Sequence, residues 1–463
     1  MKINNRKYIV LLFPVLLCFI CIYLMFSFFK PTTRDEWLQY SSSNSMTNSY
    51  CNIVDRNGTL LLSEEKQEAS DEDIKNKVPS HRYAREEATR RSTIQVVGDP
   101  SGNTKTSALY NYRKNNSLEF SVINGFYNKN SIIGSGKTKL TISADISNTI
   151  ADTLEPHEKA VVLVSNYTTG EILACVSKPF YDPIKMPSDI DTNPIYNGAF
   201  LNKAFECTYA PGSVFKLVTL TALLERQKVN SISYQCTGQA SFYSPDKSAS
   251  TTVTCEDGVA HGALNLQKML TQSCNCGFAS MGVYLGDDYL EEFVEKSQVT
   301  SSFDIGASIK TAEGNFAAAN NIELAWSSVG QGKDMVSPVA FLSFINAIAN
   351  GGISKGFSME QDNSGDDVSV IKASTAQTVS NMMRMNVENN YSKRYTFPKG
   401  VCAKSGTAQI NSNTLPHSWF VGFINNRDTP YSFVILIENG GSGSKVAGKV
   451  ASEILAYLTT NEI

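Results

Sequence analysis

Pro211-Gly212-Ser213-Val214-Phe215-Lys216-Leu217-Val218-Thr219-Leu220 is the stretch on which the reading of this chain turns. Pro-Gly suits a tight turn. Val214, Phe215, Leu217, Val218, Leu220 and Leu223 then give an apolar helix running to Arg226. Ser213 and Lys216, three positions apart, share one face of that helix. A serine hydroxyl attacks a carbonyl only when a base removes its proton. A lysine serves as that base only when desolvation or a neighbouring cation lowers its pKa. Phe215 and the apolar helix could supply the desolvation, and the helix start would favour a developing anion beside Ser213. Spacing alone says little, because Ser-x-x-Lys also occurs at Ser27, Ser63, Ser244, Ser369 and Ser442. Pro-Gly before the serine and an apolar helix after it set the Ser213 copy apart.

Two more strings follow in order: Ser273-Cys274-Asn275 and Lys404-Ser405-Gly406-Thr407. Lys-Ser-Gly occurs once in the chain. Lys404 offers the second cation that would depress Lys216. Gly406, on an expected strand, would let a substrate backbone approach closely. Ser-x-Asn is common in turns, so Ser273 and Asn275 gain meaning from their place between the other two strings. The histidines, His81, His157, His261 and His417, lie near no Gly-x-Ser-x-Gly elbow, and His417 is expected to be structural. Together the strings supply a nucleophile, an amine base, a polar relay and a cationic clamp for serine acyl transfer.

The surroundings restrict where that chemistry would occur. Residues 8–29 are apolar and uncharged, long enough at about 1.5 Å per residue for a bilayer core of roughly 30 Å. Lys2, Arg6 and Lys7 precede them, which favours an N-terminus kept inside and a chain outside the cytoplasm after Lys30. With 41 basic and 44 acidic residues and a formal charge of -3, there is no general attraction to nucleic acid. Cys236 and Cys255 flank the polar stretch Thr237 to Thr254 and are the expected disulfide, although spacing leaves other pairings open. Cys274 and Cys276 look like half a metal site without a second half at zinc spacing, so no metal and no cofactor is expected. Gly134-Ser135-Gly136-Lys137-Thr138 lacks the earlier glycine of a phosphate loop and runs into a strand-like alternation.

The expected organisation is a cytoplasmic tail (1–7), a membrane anchor (8–29), a linker and small extended pedestal (30–150) and a main domain (151–463). An Asn57-Gly58 hairpin opens the pedestal, and an amphipathic stretch spans Asp71 to Arg91. In the main domain, strands at 160–165 and 171–177 lead, and helices follow at 213–226, 264–270 and 339–350. A polar loop is expected at 358–369, then strands near 401–409, 418–425 and 431–437, and a closing helix at 445–458. This predicts an α+β fold with a central antiparallel sheet, built from the first and last strands and flanked by helices.

At this point the chain resembles the class B penicillin-binding proteins, monofunctional peptidoglycan D,D-transpeptidases. Val54-Asp55-Arg56-Asn57-Gly58, Val96-Val97-Gly98 and the segment 160–183 are similar to that family. So are 210–216, 272–275, 329–332, 336–352, 403–409 and 418–423, in order. The Ser-Cys-Asn form and short pedestal resemble actinobacterial and clostridial members, while residues 101–130 match poorly. The resemblance implies that Ser213 is acylated by a donor stem peptide with release of D-Ala, and that an amine then completes a 4→3-type crosslink. It makes Lys216 the base and gives Ser273 and Asn275 a proton relay and a hold on the substrate amide. Lys404 would supply electrostatic support, and Ser405, Gly406 and Thr407 would bind the substrate terminus. Backbone N–H groups of Ser213 and Thr407 would form the oxyanion hole. It further implies acylation by β-lactams and a polytopic SEDS glycosyltransferase as partner. A β-lactamase, or a scaffold that activates such a polymerase, is the alternative. Lys-Ser-Gly stands where Lys-Thr-Gly is commoner, and Cys207 and Cys402 near the strings suggest redox sensitivity.

Overall fold

The computed structural model describes residues 14–23, 52–63, 65–68, 75, 80–99, 101–108, 119–121, 125–127, 137–226, 232–305, 309–361, 365–411 and 413–460. The chain divides into two compact units, Met1–Tyr50 with Tyr112–Ser135, and Cys51–Asn111 with Gly136–Ile463. The larger unit opens with strands β1 (Asn52–Val54) and β2 (Leu60–Leu62) and helix α1 (Glu87–Val97). The smaller unit holds the antiparallel hairpin β3 (Glu119–Ser121) and β4 (Gly125–Tyr127), and a helix over residues 14–23. The larger unit resumes with β5 (Lys137–Lys139), α2 (Ala144–Leu154), β6 (Ala160–Asn166), β7 (Ile172–Lys178) and α3 (Lys216–Arg226). Next come β8 (Ser233–Cys236), β9 (Gln239–Tyr243), β10 (Ser250–Thr254), β11 (Gly262–Asn265), α4 (Leu266–Thr271) and α5 (Asn275–Leu285). It closes with α6 (Pro338–Ala349), β12 (Ile353–Gly356), β13 (Gly365–Ser369), α7 (Ala373–Asn389), β14 (Val401–Ala408), β15 (His417–Ile424), β16 (Tyr431–Ile437) and α8 (Ala447–Thr460).

The central sheet has the order β14-β15-β16-β6-β7, and every neighbouring pair is antiparallel. The last strand in the chain therefore pairs with the first of the sheet, from Tyr431 opposite Asn166 to Ile437 opposite Ala160. Every residue of β15 and β16 is buried. These strands read as continuous apolar runs because helices cover both faces, so neither face needs polar side chains. On one face α2 and α8 present Ile146, Ile150, Ile454 and Leu458 to Val162, Val164, Phe433 and Ile435. On the other lies α6, capped by the Ser337 hydroxyl accepting from the Ala340 N–H and carrying Pro338 in its first turn. Phe341 of α6 meets the Trp419 ring 6.2 Å away.

The smaller motifs also have physical roles. Asp55 is fully buried and its carboxylate accepts from the N–H of Asn57 (2.9 Å), Thr59 (2.7 Å) and Ala144 (3.0 Å). One side chain thus closes the β1–β2 turn, where Gly58 has φ +92°, and ties it to the positive end of α2. Arg90 of α1 forms a two-pronged ion pair with Asp182, at 2.9 and 2.8 Å, with both residues buried. Helix α2 straddles the expected boundary at 150/151, and its apolar face belongs to the main core.

Several expectations can be set against these elements. Among the described residues, no helix is long and apolar enough to cross a membrane. Of the expected 8–29 anchor only the exposed helix over 14–23 is described, and the remainder lies outside the described residues. Of the amphipathic stretch at 71–91, residues 75 and 80–91 are described, and helix α1 begins at Glu87 and runs on to Val97. The loop expected at 358–369 contains β13, which pairs antiparallel with β12, from Ile353 opposite Ser369 to Gly356 opposite Gly365. Lys137–Lys139 is a strand, as the rejection of a phosphate loop required. The Cys236–Cys255 disulfide is absent: the thiols are free, with sulfurs 3.7 Å apart against about 2.05 Å for a bond.

Candidate active site

The three strings meet at the outer edge of β14. Ser213 lies in a single 3-10 turn, Gly212–Val214, that leads into α3. Its hydroxyl is 2.9 Å from the Lys216 amine. Two close backbone approaches hold the turn. Gly212, with φ +57°, donates its N–H to the Gly330 carbonyl at 2.8 Å. A Cβ on Gly330, which has φ +75°, would fall 2.0 Å from the Gly212 oxygen. On the other side a Cβ on Gly406 would meet Val214 Cγ1 at 2.9 Å and the Pro211 oxygen at 3.0 Å. Gly406 therefore admits the Ser213 turn against β14.

Lys216 is completely buried. Its Nζ faces four oxygens: Ser213 Oγ (2.9 Å), Ser273 Oγ (3.0 Å), the Ser273 carbonyl (2.7 Å) and Asn275 Oδ1 (2.5 Å). The last two can only accept. Asn275 is held in that orientation because its Nδ2 donates to the Thr254 carbonyl at 2.7 Å. A neutral amine has two protons, so it satisfies both acceptors and leaves its lone pair for the serine hydroxyls. Burial drives the pKa of Lys216 down to about 8. Lys404 is also buried, and its Nζ reaches Ser273 Oγ at 3.2 Å. Desolvation first, and the charge of Lys216 second, push it well below the ordinary lysine value. A continuous polar path thus joins Lys404, Ser273, Lys216 and Ser213.

Ser405 and Thr407 lie on the strand face opposite Lys404, since side chains alternate. Ser405 Oγ accepts from the Tyr391 hydroxyl at 2.9 Å, and Thr407 Oγ1 accepts from the Gly443 N–H at 3.1 Å. The backbone of β14 is equally informative. The Ala403 carbonyl accepts from Asn386 at 3.0 Å, the Ser405 N–H donates to the Tyr391 hydroxyl at 2.8 Å, and the Ser405 carbonyl accepts from Lys404 at 2.6 Å. Alternate residues 403 and 405 therefore turn their polar groups away from β15, and the same period sends the Thr407 N–H toward the Ser213 turn.

All eight residues singled out from sequence thus come to one site. Sequence reasoning missed Tyr391, Asn386 and the role of Gly330. Tyr391 sits in a polar stretch without a motif, and only its burial and three hydrogen bonds reveal its use. Cys402 is fully buried and desolvation lifts its thiol to about 12, while burial also raises the Cys207 thiol. Both shifts favour the protonated thiol, the less readily oxidised form. His417 accepts from the Asn439 N–H at 3.1 Å, the structural role expected.

A five-stranded antiparallel sheet whose edge strand runs beside this turn defines an active-serine fold in which a lysine amine, not a histidine, faces the hydroxyl. Residues 160–456 match the penicillin binding protein transpeptidase domain, and the chain belongs to that family. It is 26% identical over 321 residues to the peptidoglycan D,D-transpeptidase PbpA of Mycolicibacterium smegmatis, covering 62% of this chain and 63% of that protein. It is 25% identical over 365 residues to stage V sporulation protein D of Bacillus subtilis, covering 70% of this chain and 53% of that protein. The chain thus spans less than two thirds of the length of these curated relatives. Penicillin-binding protein A from M. tuberculosis, solved as a ceftriaxone acyl-enzyme, has the same fold at a TM-score of 0.70 and 19% identity, over 90% of this chain and 99% of that one.

Proposed function

We propose that the chain is a serine-type peptidoglycan D,D-transpeptidase. The observation that carries this is the Lys216 amine, buried and 2.9 Å from Ser213 Oγ, with two acceptor-only oxygens fixing its protons. In this reading neutral Lys216 takes the Ser213 proton as Oγ attacks the carbonyl of the penultimate D-Ala. The N–H groups of Ser213 and Thr407 receive the oxyanion, a contribution of about 3–4 kcal/mol per donor in comparable sites. The proton reaches the leaving D-Ala nitrogen through Ser273. An amine from a neighbouring strand then attacks the acyl-enzyme, and Lys216 takes its proton, so the crosslink forms and Ser213 is regenerated. Lys404 keeps the path electropositive, and Ser405 and Thr407 offer hydroxyls to the terminal carboxylate. Placement at the outer face of a membrane through residues 8–29, and partnership with a SEDS glycosyltransferase, belong to the same proposal.

The test is intact mass of the full chain and of its Ser213→Ala variant after incubation with a penicillin. A long-lived adduct on the wild type alone supports the transpeptidase. A transient adduct with antibiotic turnover would make it a β-lactamase. No adduct on folded chain would leave the scaffold reading.

A further inference from the structure

Beside the serine site, four metal-binding side chains converge from segments far apart in sequence. Cys236 ends β8, Cys255 follows β10, His261 precedes β11, and Cys274 caps α5. Their donor atoms all lie within 4.8 Å of one another, and the three cysteines are buried. We infer that Cys236, Cys255, His261 and Cys274 form a structural zinc site that braces the Ser273-Cys274-Asn275 turn.

Three of the six donor–donor edges match a tetrahedral centre. With Zn–S of about 2.3 Å and Zn–N of about 2.0 Å, tetrahedral geometry requires S···S of about 3.8 Å and S···N of about 3.5 Å. The Cys236–Cys255 and Cys255–Cys274 sulfurs are each 3.7 Å apart, and His261 Nδ1 is 3.4 Å from Cys236 Sγ. The backbone is arranged for thiolates. The Gly238 N–H donates to Cys236 Sγ and the Gly277 N–H to Cys274 Sγ, both at 3.4 Å. Gly238 lies at φ +91°, where a Cβ would meet the Gly258 carbonyl at 2.4 Å, so the two ligand turns fold directly onto each other. Three sulfurs and one nitrogen complete the coordination shell, which is the donor set of a closed structural site and leaves no position for substrate. Cys276 is close by, 3.4 Å from Cys255, and its thiol is directed to the Val253 carbonyl at 3.5 Å.

The functional consequence follows from position. Cys274 lies between Ser273 and Asn275, both of which hold the Lys216 amine. Ser273 has φ +51°, a left-handed conformation costly for a residue with a Cβ. Asn275 bonds to Thr254, next to Cys255. A zinc linking Cys255 to Cys274 would clamp both ends of this contact and hold the strained turn. These four ligands are positioning residues for the serine site, and that consequence rests on the proposed acyl-transfer function. The metal site itself does not.

The full chain, purified without chelator, is measured for zinc by inductively coupled plasma mass spectrometry, with thiols mapped in parallel. About one zinc per chain is expected. His261→Ala and Cys274→Ser should lower it roughly tenfold, and His261→Cys should keep it. Cys175→Ser, a buried thiol outside the cluster, should keep it too. Removing zinc from wild type should lower the melting temperature and slow penicillin acylation, with both restored by added zinc. Less than about a tenth of a zinc on folded, reduced chain supplied with the metal would overturn the inference. A mapped Cys236–Cys255 disulfide in the folded chain would do the same, as would an unchanged zinc content in His261→Ala. Metal content is read without acylation, so failure of the transpeptidase reading leaves this result standing.

Discussion

The chemistry proposed at Ser213 depends on the protonation of one buried amine. Lys216 is a base only when neutral, and its pKa lies near 8. Acylation of the full chain by a penicillin should therefore rise with pH and inflect near 8, falling about tenfold per unit below it. A flat stopped-flow profile from pH 6 to 9 would contradict Lys216 as the base. Tyr391 is a residue that no motif announced. Tyr391→Phe removes one donor to Ser405 Oγ and one acceptor from the Ser405 N–H, and should slow acylation by roughly 5–100-fold while leaving the fold intact. Asp334 acts on stability. Burial pushes its carboxyl up from 3.8 to about 7, so the folded chain holds a proton that the unfolded chain has lost. Its contribution is fully present below 3.8 and disappears as pH rises through 7. Asp334→Asn should flatten that part of the stability curve in chemical denaturation.

At the level of elements, the site is made by backbones in close approach. Gly330→Ala would place a Cβ 2.0 Å from the Gly212 oxygen and force a left-handed alanine. It should destabilise the chain by about 1–3 kcal/mol and lower acylation further than stability alone explains, because the displaced turn carries Ser213. Helix α1 is tied to the segment after β7 by the Arg90–Asp182 pair. Arg90→Met strands a buried carboxylate and should cost about 3–5 kcal/mol, whereas adding Asp182→Leu should recover much of it. Equal melting temperatures for the single and double variants would refute this reading. Not all such elements could be read from sequence. Strands β15 and β16 and helix α6 were legible from their apolar stretches. β13 was hidden, because Gly365-Asp366-Asp367-Val368-Ser369 is acidic and mostly exposed, and its pairing with β12 comes from chain reversal rather than an apolar pattern.

For the whole molecule, the sheet couples the ends of the main domain. β16 pairs with β6, more than 250 positions away, so the sheet closes only after the C-terminal strands have formed. Amide exchange should be slowest in β6, β15 and β16, which lie between neighbours, and faster at the outer edge of β14, where side chains replace a strand partner. If β14 exchanged as slowly as β16, the sheet edge would be more rigid than its bonding implies.

The sequence by itself determined the ordered strings around Ser213, Ser273 and Lys404, the apolar segments that become the sheet and its covering helices, and the family. These are local patterns: a turn before a nucleophile, an apolar period, a fixed short spacing. Tertiary structure decided what depends on distance through space. It buried two lysines together, so that desolvation lowers the proton affinity of both and Lys216 lowers that of Lys404 further, and it turned the open edge of β14 toward the Ser213 turn. It also gathered Cys236, Cys255, His261 and Cys274, which no short spacing unites, because the β8–β11 strand pair and the β9–β10 hairpin pack against the start of α5.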